Sequence, residues 1–251
     1  MEITKQTQLL QHLDEFEHVL SDYSPSQETI NTLTSIPLVL LVGPTAAGRN
    51  TLINLLKDTN RYYFIVSNTT RQPRANNGVM EQDGVEYWFK TEEEFLEGLT
   101  SGKFLEAAVI HKQQVSGIHI AQLEKAAKEG KIAINEVEVV GAAHIHDYKP
   151  DTLLIFLLPP NFEVWMERIR GRGDINEEEL RRRLESAQDE IAIALSEDHY
   201  QFVVNYEIHE AAVAVDELAN GRNFDPNKQQ LGRNHAEQLL VEVQLYLASI
   251  S

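Results

Sequence analysis

The stretch that decides the fold spans residues 38–51 and reads Leu38-Val39-Leu40-Leu41-Val42-Gly43-Pro44-Thr45-Ala46-Ala47-Gly48-Arg49-Asn50-Thr51. Its first five residues are a continuous apolar run, which predicts a buried strand of a parallel sheet. Gly43 and Gly48 then form the frame G-x-x-x-x-G, and the leucines from residue 52 onward predict a helix. A glycine turn between strand and helix directs backbone N–H groups at an anion, so the loop is predicted to bind a nucleotide's phosphates.

The two residues after Gly48 depart from the usual pattern, which has lysine followed by serine or threonine. Arg49 keeps the positive charge, but its planar guanidinium is wider than a compact ammonium. Asn50 lacks the hydroxyl that ligates magnesium, although its amide oxygen is a weak ligand for a hard cation. The frame therefore predicts phosphate binding, and the two substitutions leave open whether the nucleotide is turned over.

Apolar runs alternate with helical patterns along the rest of the chain. This predicts an α/β fold with a central parallel sheet flanked by helices. Further strands are predicted at Tyr63–Val66, Ile132–Val137, Leu153–Leu158 and Phe202–Val204. The intervening helices are predicted at Glu92–Leu99, Ile120–Lys128, Glu163–Arg170 and Glu178–Leu195.

Amphipathic helices are also predicted near both ends of the chain, at residues 6–22 and 234–249, with a linker over 220–230. These helices could serve a protein partner or a homodimer, so the sequence is compatible with a monomer or a homodimer. Packing of both helices against the rest of the molecule is the simpler interpretation.

Composition excludes several classes of function. The 251 residues suit one domain with room for a subdomain, and 42% apolar residues are enough for a large core. The net charge of −17 opposes binding to a nucleic-acid backbone. No run of 18 apolar residues occurs and the N-terminus is polar, so neither a membrane span nor export is expected. The lack of cysteine rules out disulfides and agrees with a cytoplasmic protein.

A second group of residues follows the loop. It reads Ser67-Asn68-Thr69-Thr70-Arg71-Gln72-Pro73-Arg74 and then Asp83-Gly84-Val85-Glu86-Tyr87-Trp88-Phe89. Two arginines three residues apart can fork around one phosphate, and a tyrosine hydroxyl can add a hydrogen bond. Taken alone, the same residues would be a solvated loop with scattered cations.

With these motifs the chain resembles the guanylate kinase family from about residue 37 to residue 220. Later motifs in the family's order support the resemblance: Gly102-Lys103-Phe104-Leu105-Glu106, Pro159-Pro160, Arg168-Ile169-Arg170-Gly171-Arg172-Gly173 and Arg183-Leu184. The resemblance implies a P-loop kinase that transfers a phosphoryl group from ATP to GMP with magnesium. It also implies a GMP-binding subdomain at about 67–120 and a lid at about 168–182, with extensions at 1–36 and 221–251.

The resemblance further implies roles for individual residues. Positions that hold the GMP phosphate match Arg71, Arg74 and Tyr87. Positions that contact guanine match Ser67, Glu106 and Glu138, since a carboxylate accepts a pair of hydrogen bonds that adenine does not offer. The catalytic positions match Arg49, Arg168, Arg172 and Arg183. The ATP phosphates are assigned to Gly43, Ala46, Ala47, Gly48, Arg49, Asn50 and Thr51, with Asn50 as a weak metal ligand.

The departures from the family pattern fall mostly on the ATP side. They are Arg49, Asn50, Ala46 in place of glycine, Glu136 in place of aspartate, and Val115 or Ser116 in place of a second phosphate-binding tyrosine. Two interpretations follow: a divergent but active kinase, or a pseudokinase that binds guanine nucleotide or a protein ligand. A sugar-phosphate kinase is a third alternative, which the complete GMP motif opposes. The lid arginines favour the active kinase, because a scaffold does not need them.

The histidines offer one further candidate site. His144 and His146, with Asp147 beside them, could hold a metal ion if they lie in a loop. A solvated loop without a metal is the preferred interpretation, and no general base is assigned.

Overall fold

The computed structural model describes residues 9–76, 78–171, 173, 175–222 and 225–250. The chain divides into two compact units. The first unit comprises Met1–Pro37 and Ile65–Ala133, and the second comprises Leu38–Phe64 and Ile134–Ser251. The segment expected to bind GMP, about 67–120, thus falls in the first unit, and the phosphate-binding loop falls in the second.

The helices of the described residues are α1 (Leu13–Leu20), α2 (Gln27–Thr34), α3 (Arg49–Asp58), α4 (Glu92–Thr100), α5 (Ile120–Lys128), α6 (Val139–Tyr148), α7 (Phe162–Arg170), α8 (Glu177–Ser196), α9 (Ile208–Ala219) and α10 (Pro226–Ser249). The strands are β1 (Leu38–Val42), β2 (Tyr62–Phe64), β3 (Asn68–Thr69), β4 (Ala75–Asn76), β5 (Val79–Met80), β6 (Trp88–Phe89), β7 (Phe104–Ile110), β8 (Gln114–His119), β9 (Ile132–Glu136), β10 (Leu153–Leu158) and β11 (Tyr200–Val204). Across the described ranges, no helix combines the length and the apolar character that a membrane crossing requires.

The largest sheet in the described part of the chain has the strand order β11-β10-β1-β9-β2. β1 pairs in parallel with β10, with Val39 opposite Leu153, and β10 pairs in parallel with β11. Every residue of β1 is buried, as expected for a strand with neighbours on both sides. The predicted α/β fold with a central parallel sheet flanked by helices is therefore confirmed.

The C-terminal helix begins earlier than the sequence predicts. Residues 226–230 of the expected linker at 220–230 are helical, because α10 starts at Pro226. The Asp225 side chain accepts a hydrogen bond from Asn227 N at 2.9 Å, and proline is favoured at the first helical position. α10 packs against β11 and α8, so this helix belongs to the core of the second unit.

The first unit contains a mixed sheet with the order β6-β3-β8-β7. β3 pairs in parallel with β6, whereas β8 runs antiparallel to both β3 and β7. A separate hairpin is formed by β4 and β5. Beneath the sheet, Phe95 stacks on Phe104 with their ring centroids 4.3 Å apart.

The N-terminal segment packs on this sheet. α1 contacts β7 and α4, and its Phe16 is buried edge-on against Phe95 at 6.2 Å. The sequence predicts one helix over 6–22, of which residues 6–8 lie outside the described residues. A further helix, α2, was missed; it starts where the Ser26 side chain accepts a hydrogen bond from Thr29 N. The described part of the extension is thus an integral part of the first unit.

Candidate active site

The glycines of the phosphate-binding loop are required by its geometry. Gly43 has φ 138°, and a Cβ on it would lie 2.3 Å from the Leu157 carbonyl oxygen. Gly48 has φ 109° and caps the N-terminus of α3. Both positions exclude other residues, because a side chain would clash or force a left-handed backbone. The loop thus leads from β1 into α3 with the helix N-terminus directed at it, as a phosphate site requires.

Ala46 takes the strained position of the loop. Its φ is 63°, in the left-handed region that residues with a Cβ seldom adopt, and its side chain is buried. Such a conformation costs about 1–2 kcal/mol, and glycine would adopt it without that cost. Alanine in place of glycine at this position therefore adds conformational strain to the loop.

Two side chains that the sequence does not point to donate hydrogen bonds to backbone carbonyls of the loop. The Trp165 indole Nε1 donates to the Thr45 carbonyl at 2.8 Å, and the Asn205 Nδ2 donates to the Ala47 carbonyl at 2.7 Å. Trp165 is fully buried on α7, and Asn205 directly follows β11. In the sequence, Trp165 has only the pattern of a core residue on an amphipathic helix, and that pattern does not indicate contact with the loop.

Arg49 and Asn50 share one partner, the carboxylate of Glu136 at the end of β9. The Arg49 Nε lies 3.5 Å from Glu136 Oε2. The Asn50 amide nitrogen donates to both carboxylate oxygens, at 2.7 and 3.1 Å, in the amide orientation that satisfies both groups. β9 is the neighbour of β1, and Val137 N donates to the Leu41 carbonyl, so the two strands end side by side.

A further carboxylate, that of Glu190, acts on Arg49. Burial raises the pKa of Glu190 on α8, the Arg49 charge opposes that rise, and the Glu138 carboxylate adds to it. Glu138 itself is exposed and occupies the N-cap position of α6. The cation of the loop thus lies in an acidic environment even before a phosphate binds.

The arginines assigned to the transferring phosphoryl group differ in their partners. Arg168 is half-buried in the last turn of α7 and makes no ion pair within the described residues. The Arg183 Nε on α8 donates to Glu179 Oε1 at 2.8 Å, and this bond is the main reason why the pKa of Glu179 is lowered. α7 ends at Arg170, so the helical spacing that would align Arg168 with Arg172 stops short; Arg172 itself lies outside the described residues.

In the first unit, Arg71 lies at the centre of a cluster. Its Nη1 and Nη2 donate to the two carboxylate oxygens of Glu81 at 2.6 and 2.8 Å. The guanidinium lies over the rings of Tyr87 and Phe89, at 4.7 and 5.7 Å from their centroids. The hydrogen bonds that Arg71 donates to Glu81 raise the pKa of Arg71, so this cation stays charged.

Arg74 is joined to the same cluster through its backbone. The Arg74 N donates to Glu81 Oε2 at 2.9 Å, and the Arg74 side chain is exposed. Arg71 and Arg74 both line a groove of about 910 Å³ in the first unit. The structure therefore brings together the three residues assigned to the GMP phosphate, Arg71, Arg74 and Tyr87, and adds Glu81, which the sequence reasoning missed.

The residues assigned to the base are distributed over both units. Ser67 is half-buried just before β3, and its carbonyl accepts from Trp88 N at 2.9 Å. Glu106 is half-buried on β7, at a bulge between Phe104 and Glu106. Glu138 belongs to the second unit.

The two residues considered for the place of the second tyrosine, Val115 and Ser116, differ in their surroundings. Val115 is completely buried in the core of the first unit. The Ser116 hydroxyl donates to the Thr69 hydroxyl at 2.9 Å. Of the two, Ser116 is therefore the residue with a polar group at this place.

The histidine interpretation needs correction, because His144 and His146 lie in α6 and not in a loop. Two residues apart on a helix, they point in different directions. The His146 ring instead lies 4.2 Å from that of His199, and burial lowers the pKa of His146.

A parallel sheet with a glycine-framed loop between β1 and α3 is the architecture of P-loop proteins, the class to which P-loop kinases belong. A family model described as guanylate kinase matches residues 35–220. The guanylate kinase of Corynebacterium diphtheriae is 38% identical over 187 residues, 74% of this chain and 95% of that protein. That of Synechocystis sp. is 39% identical over 175 residues, 69% of this chain and 88% of that protein.

A solved structure supports the same assignment. The crystal structure of guanylate kinase from Anaplasma phagocytophilum matches with a TM-score of 0.52 and 25% sequence identity, over 76% of this chain and 87% of that one. The chain belongs to the guanylate kinase family, and at this level the comparisons support a nucleotide kinase.

Proposed function

We propose that the protein transfers a phosphoryl group from ATP to GMP, giving ADP and GDP, and that it does so slowly. The observation that carries the proposal is the cluster of Arg71, Arg74 and Tyr87 in the first unit. A guanidinium held over an aromatic ring beside a second arginine suits a dianionic phosphate. Together with membership of the family, this favours a nucleoside monophosphate as the acceptor.

The acceptor base is assigned to carboxylates and a hydroxyl. Glu106 and Glu138 would accept hydrogen bonds from N1–H and the 2-amino group of guanine, with Ser67 as a further polar contact. Adenine lacks the 2-amino group and carries no proton on N1, so it would leave the carboxylates unpaired. GMP is therefore preferred over AMP in this proposal.

The donor nucleotide is assigned to the loop of the second unit. The backbone N–H groups from Ala46 to Thr51 would hold the ATP phosphates at the N-terminus of α3. Arg49 would supply the loop's positive charge. In-line transfer requires positioning and charge stabilisation, which Arg168, Arg172 and Arg183 would provide, and needs no general base.

The loop offers an oxygen ligand for magnesium, the side-chain amide oxygen of Asn50, which is a weak ligand. Because the Asn50 nitrogen faces Glu136, the Asn50 amide oxygen is the atom left for a cation, and oxygen is the ligand that magnesium prefers. Asn50 is the residue that would hold the ion, whose charge would neutralise the β- and γ-phosphates. A neutral amide is bulkier than the usual hydroxyl, which supports a reduced rate.

The second candidate function is that of a pseudokinase that binds guanine nucleotide or a protein ligand. One observation favours it: Glu136 engages both Arg49 and Asn50, the two residues expected to serve ATP and magnesium. We prefer the kinase because Arg168 and Arg183 are retained, and a binding module has no use for them.

One set of measurements distinguishes the kinase from the pseudokinase. ADP formation from ATP and magnesium is followed with GMP, with AMP and without acceptor, and GMP binding is followed by thermal shift. We expect ADP formation that depends on GMP and falls about a thousandfold in Arg168→Ala. A clear thermal shift with GMP but no GMP-dependent ADP above the Arg168→Ala background would establish the pseudokinase instead.

A further inference from the structure

The exposed face of α10 has a residue pattern that the proposed reaction does not use. The match to the family model ends at residue 220 and α10 begins at Pro226, so the pattern belongs to a part of the chain outside that match. We propose that α10 pairs antiparallel with α10 of a second copy of this chain, about a two-fold axis at Gln238. The resulting homodimer does not depend on the proposed function.

One face of α10 is fixed against its own unit. The Gln229 side chain accepts a hydrogen bond from Phe202 N at 2.9 Å. The Arg233 guanidinium donates to the Leu195 carbonyl and lies over the Phe202 ring. The buried residues of the helix are Gly232, Ala236, Leu239, Val243 and Leu247. Because this face is anchored, the opposite face of α10 is turned to solvent.

The solvent-facing side of α10 carries an exposed stripe with heptad spacing. Its six residues are separated alternately by three and four positions: Leu231, Asn234, Gln238, Val241, Leu245 and Ala248. This is the a and d spacing by which helices pair. Leu231, Val241 and Leu245 are 68%, 52% and 67% exposed. None of the six is charged, although 24% of the chain's residues are, so the stripe suits contact with another helix.

The symmetry of the exposed stripe indicates which helix it contacts. Leu231 and Leu245 each lie seven positions from Gln238. In an antiparallel pair with its two-fold axis at Gln238, Leu231 therefore meets Leu245 of the second copy, twice. Gln238 meets its own copy there, and an amide can both donate and accept a hydrogen bond across the axis. Such a contact uses one surface on both copies and closes at two, so a second copy of this chain is the partner that fits.

The groove beside the exposed stripe adds to the contact. The distance from Leu231 to Leu245 along the helix is about 21 Å, and a helix pair of that length covers less than the ~800 Å² per partner of a standard interface. Leu231 also lines a groove of about 620 Å³ between α9 and α10, with Phe202, Ala214 and Leu218 among its apolar residues. Leu245 of the second copy, placed at Leu231, would enter this groove.

Charge limits the strength of the dimer. The antiparallel register places His235 beside Glu242 of the second copy, where a histidine is a better neighbour than an acid. Glu237 lies next to the axis, so its carboxylate approaches that of its own copy. Each chain also carries a net charge of −17, and repulsion between the two copies is screened by salt. We therefore expect a dimer that forms at about micromolar concentration and becomes tighter as salt is added.

Sedimentation equilibrium of the full chain over a range of concentrations tests the dimer. Val241→Glu should raise the dissociation constant at least about tenfold, because it puts a carboxylate into the contact. The matched control is Val140→Glu, which adds the same charge at a valine of α6 that is 58% exposed and should leave the dissociation constant within about twofold of the wild type. Both valines are exposed, and circular dichroism checks that each variant folds.

Cross-linking tests the register, because the chain contains no cysteine of its own. Under mild oxidation, Gln238→Cys should form a disulfide-linked dimer, since position 238 meets itself at the axis. Leu231→Cys and Leu245→Cys should each fail to cross-link alone but should cross-link when combined in one chain. A parallel pair would instead bring every position of the exposed stripe opposite its own copy.

Three results would overturn the inference. The first is a wild-type chain that stays monomeric at all concentrations tested, which would leave the exposed stripe for a different partner or for none. The second is an equal effect of Val241→Glu and Val140→Glu, which would show that added charge acts and the stripe does not. The third is cross-linking of Leu245→Cys alone as readily as of Gln238→Cys. Absence of GMP phosphorylation would overturn the proposed function and leave the dimer untouched.

Discussion

At the scale of single residues, the carboxylate of Glu136 contacts both unusual residues of the phosphate-binding loop. It receives the Asn50 amide and lies 3.5 Å from Arg49 Nε, so the two unusual residues of the loop are accommodated by one acid. A guanidinium held there has to approach the ATP phosphates with one edge already facing a carboxylate. A lysine would carry the same charge on a narrower and more mobile ammonium.

The first prediction concerns this loop. Replacing both residues, in Arg49→Lys together with Asn50→Ser, should raise the rate of GMP-dependent ADP formation about tenfold, or ~1.4 kcal/mol in the barrier. The reason is that an ammonium fits beside the phosphates and a hydroxyl ligates magnesium better than an amide. Steady-state kinetics gives the rate. The control is Arg61→Lys, a half-exposed arginine paired with Asp216, which should leave it unchanged.

A fall in the rate of the double variant would contradict this account of the loop. It would mean that Arg49, Asn50 and Glu136 form a working set in which the guanidinium is required. In that case Glu136→Gln in the wild-type background should also reduce the rate.

The second prediction concerns the base. Glu106→Ala should weaken GMP binding by about tenfold or more and leave ATP binding within about twofold, because Glu106 is assigned to guanine alone. Calorimetry with each nucleotide measures both constants. The control is Glu97→Ala, an exposed glutamate on α4 of the same unit. An equal loss of affinity for GMP and ATP would refute the base-reading role.

At the scale of elements, the loop depends on the helix and the strand behind it. Trp165 on α7 and Asn205 after β11 each donate to a loop carbonyl, so the path of the loop is set by elements distant in sequence. Within the described residues, each bond supplies a hydrogen-bond donor to a loop carbonyl oxygen. The loop is thus held in place before the nucleotide arrives, which favours binding without reorganisation.

The third prediction tests this support with a matched pair of tryptophans. Trp165→Phe removes the hydrogen bond to Thr45 and should lower the free energy of unfolding by about 1–3 kcal/mol and weaken ATP binding. Trp88→Phe removes an indole N–H that is buried without a hydrogen-bond partner in the described residues, so it should not lower the free energy of unfolding through that group. Chemical denaturation measures both changes. Equal losses in the two variants would show that the ring volume matters and the bond to the loop does not.

Much of the element pattern is predictable from the sequence, and the exceptions have physical causes. β1 is recognisable because a central parallel strand is apolar throughout. α10 was predicted too short, because Asn, Gly and Gln around its start outweighed the cap at Asp225 and the proline after it. The motifs identify Arg71 and Tyr87 but not Glu81, because the contacts of Glu81 with Arg71 and Arg74 depend on the hairpin register. The sequence marks Glu136 only as a substitution, because its contacts with the loop depend on β9 lying beside β1.

At the scale of the whole molecule, a net charge of −17 has to coexist with sites for anionic nucleotides. In the described structure Arg71 faces Glu81, Arg49 faces Glu136 and Arg183 faces Glu179. An acidic chain thus surrounds its binding cations with built-in carboxylates, which hold the guanidinium groups but also compete for their charge. Glu136 engages both Arg49 and Asn50 of the loop, which agrees with a slow kinase.

The central claim is that this chain moves the terminal phosphoryl group of ATP onto GMP, and transfer of a label tests it most directly. ATP labelled in the γ-phosphate is incubated with the protein, magnesium and GMP, and the products are separated. We predict label in GDP, at a rate that falls about a hundredfold or more in Arg71→Ala. Label found only in ATP or inorganic phosphate, with GMP bound and unchanged, would contradict the claim.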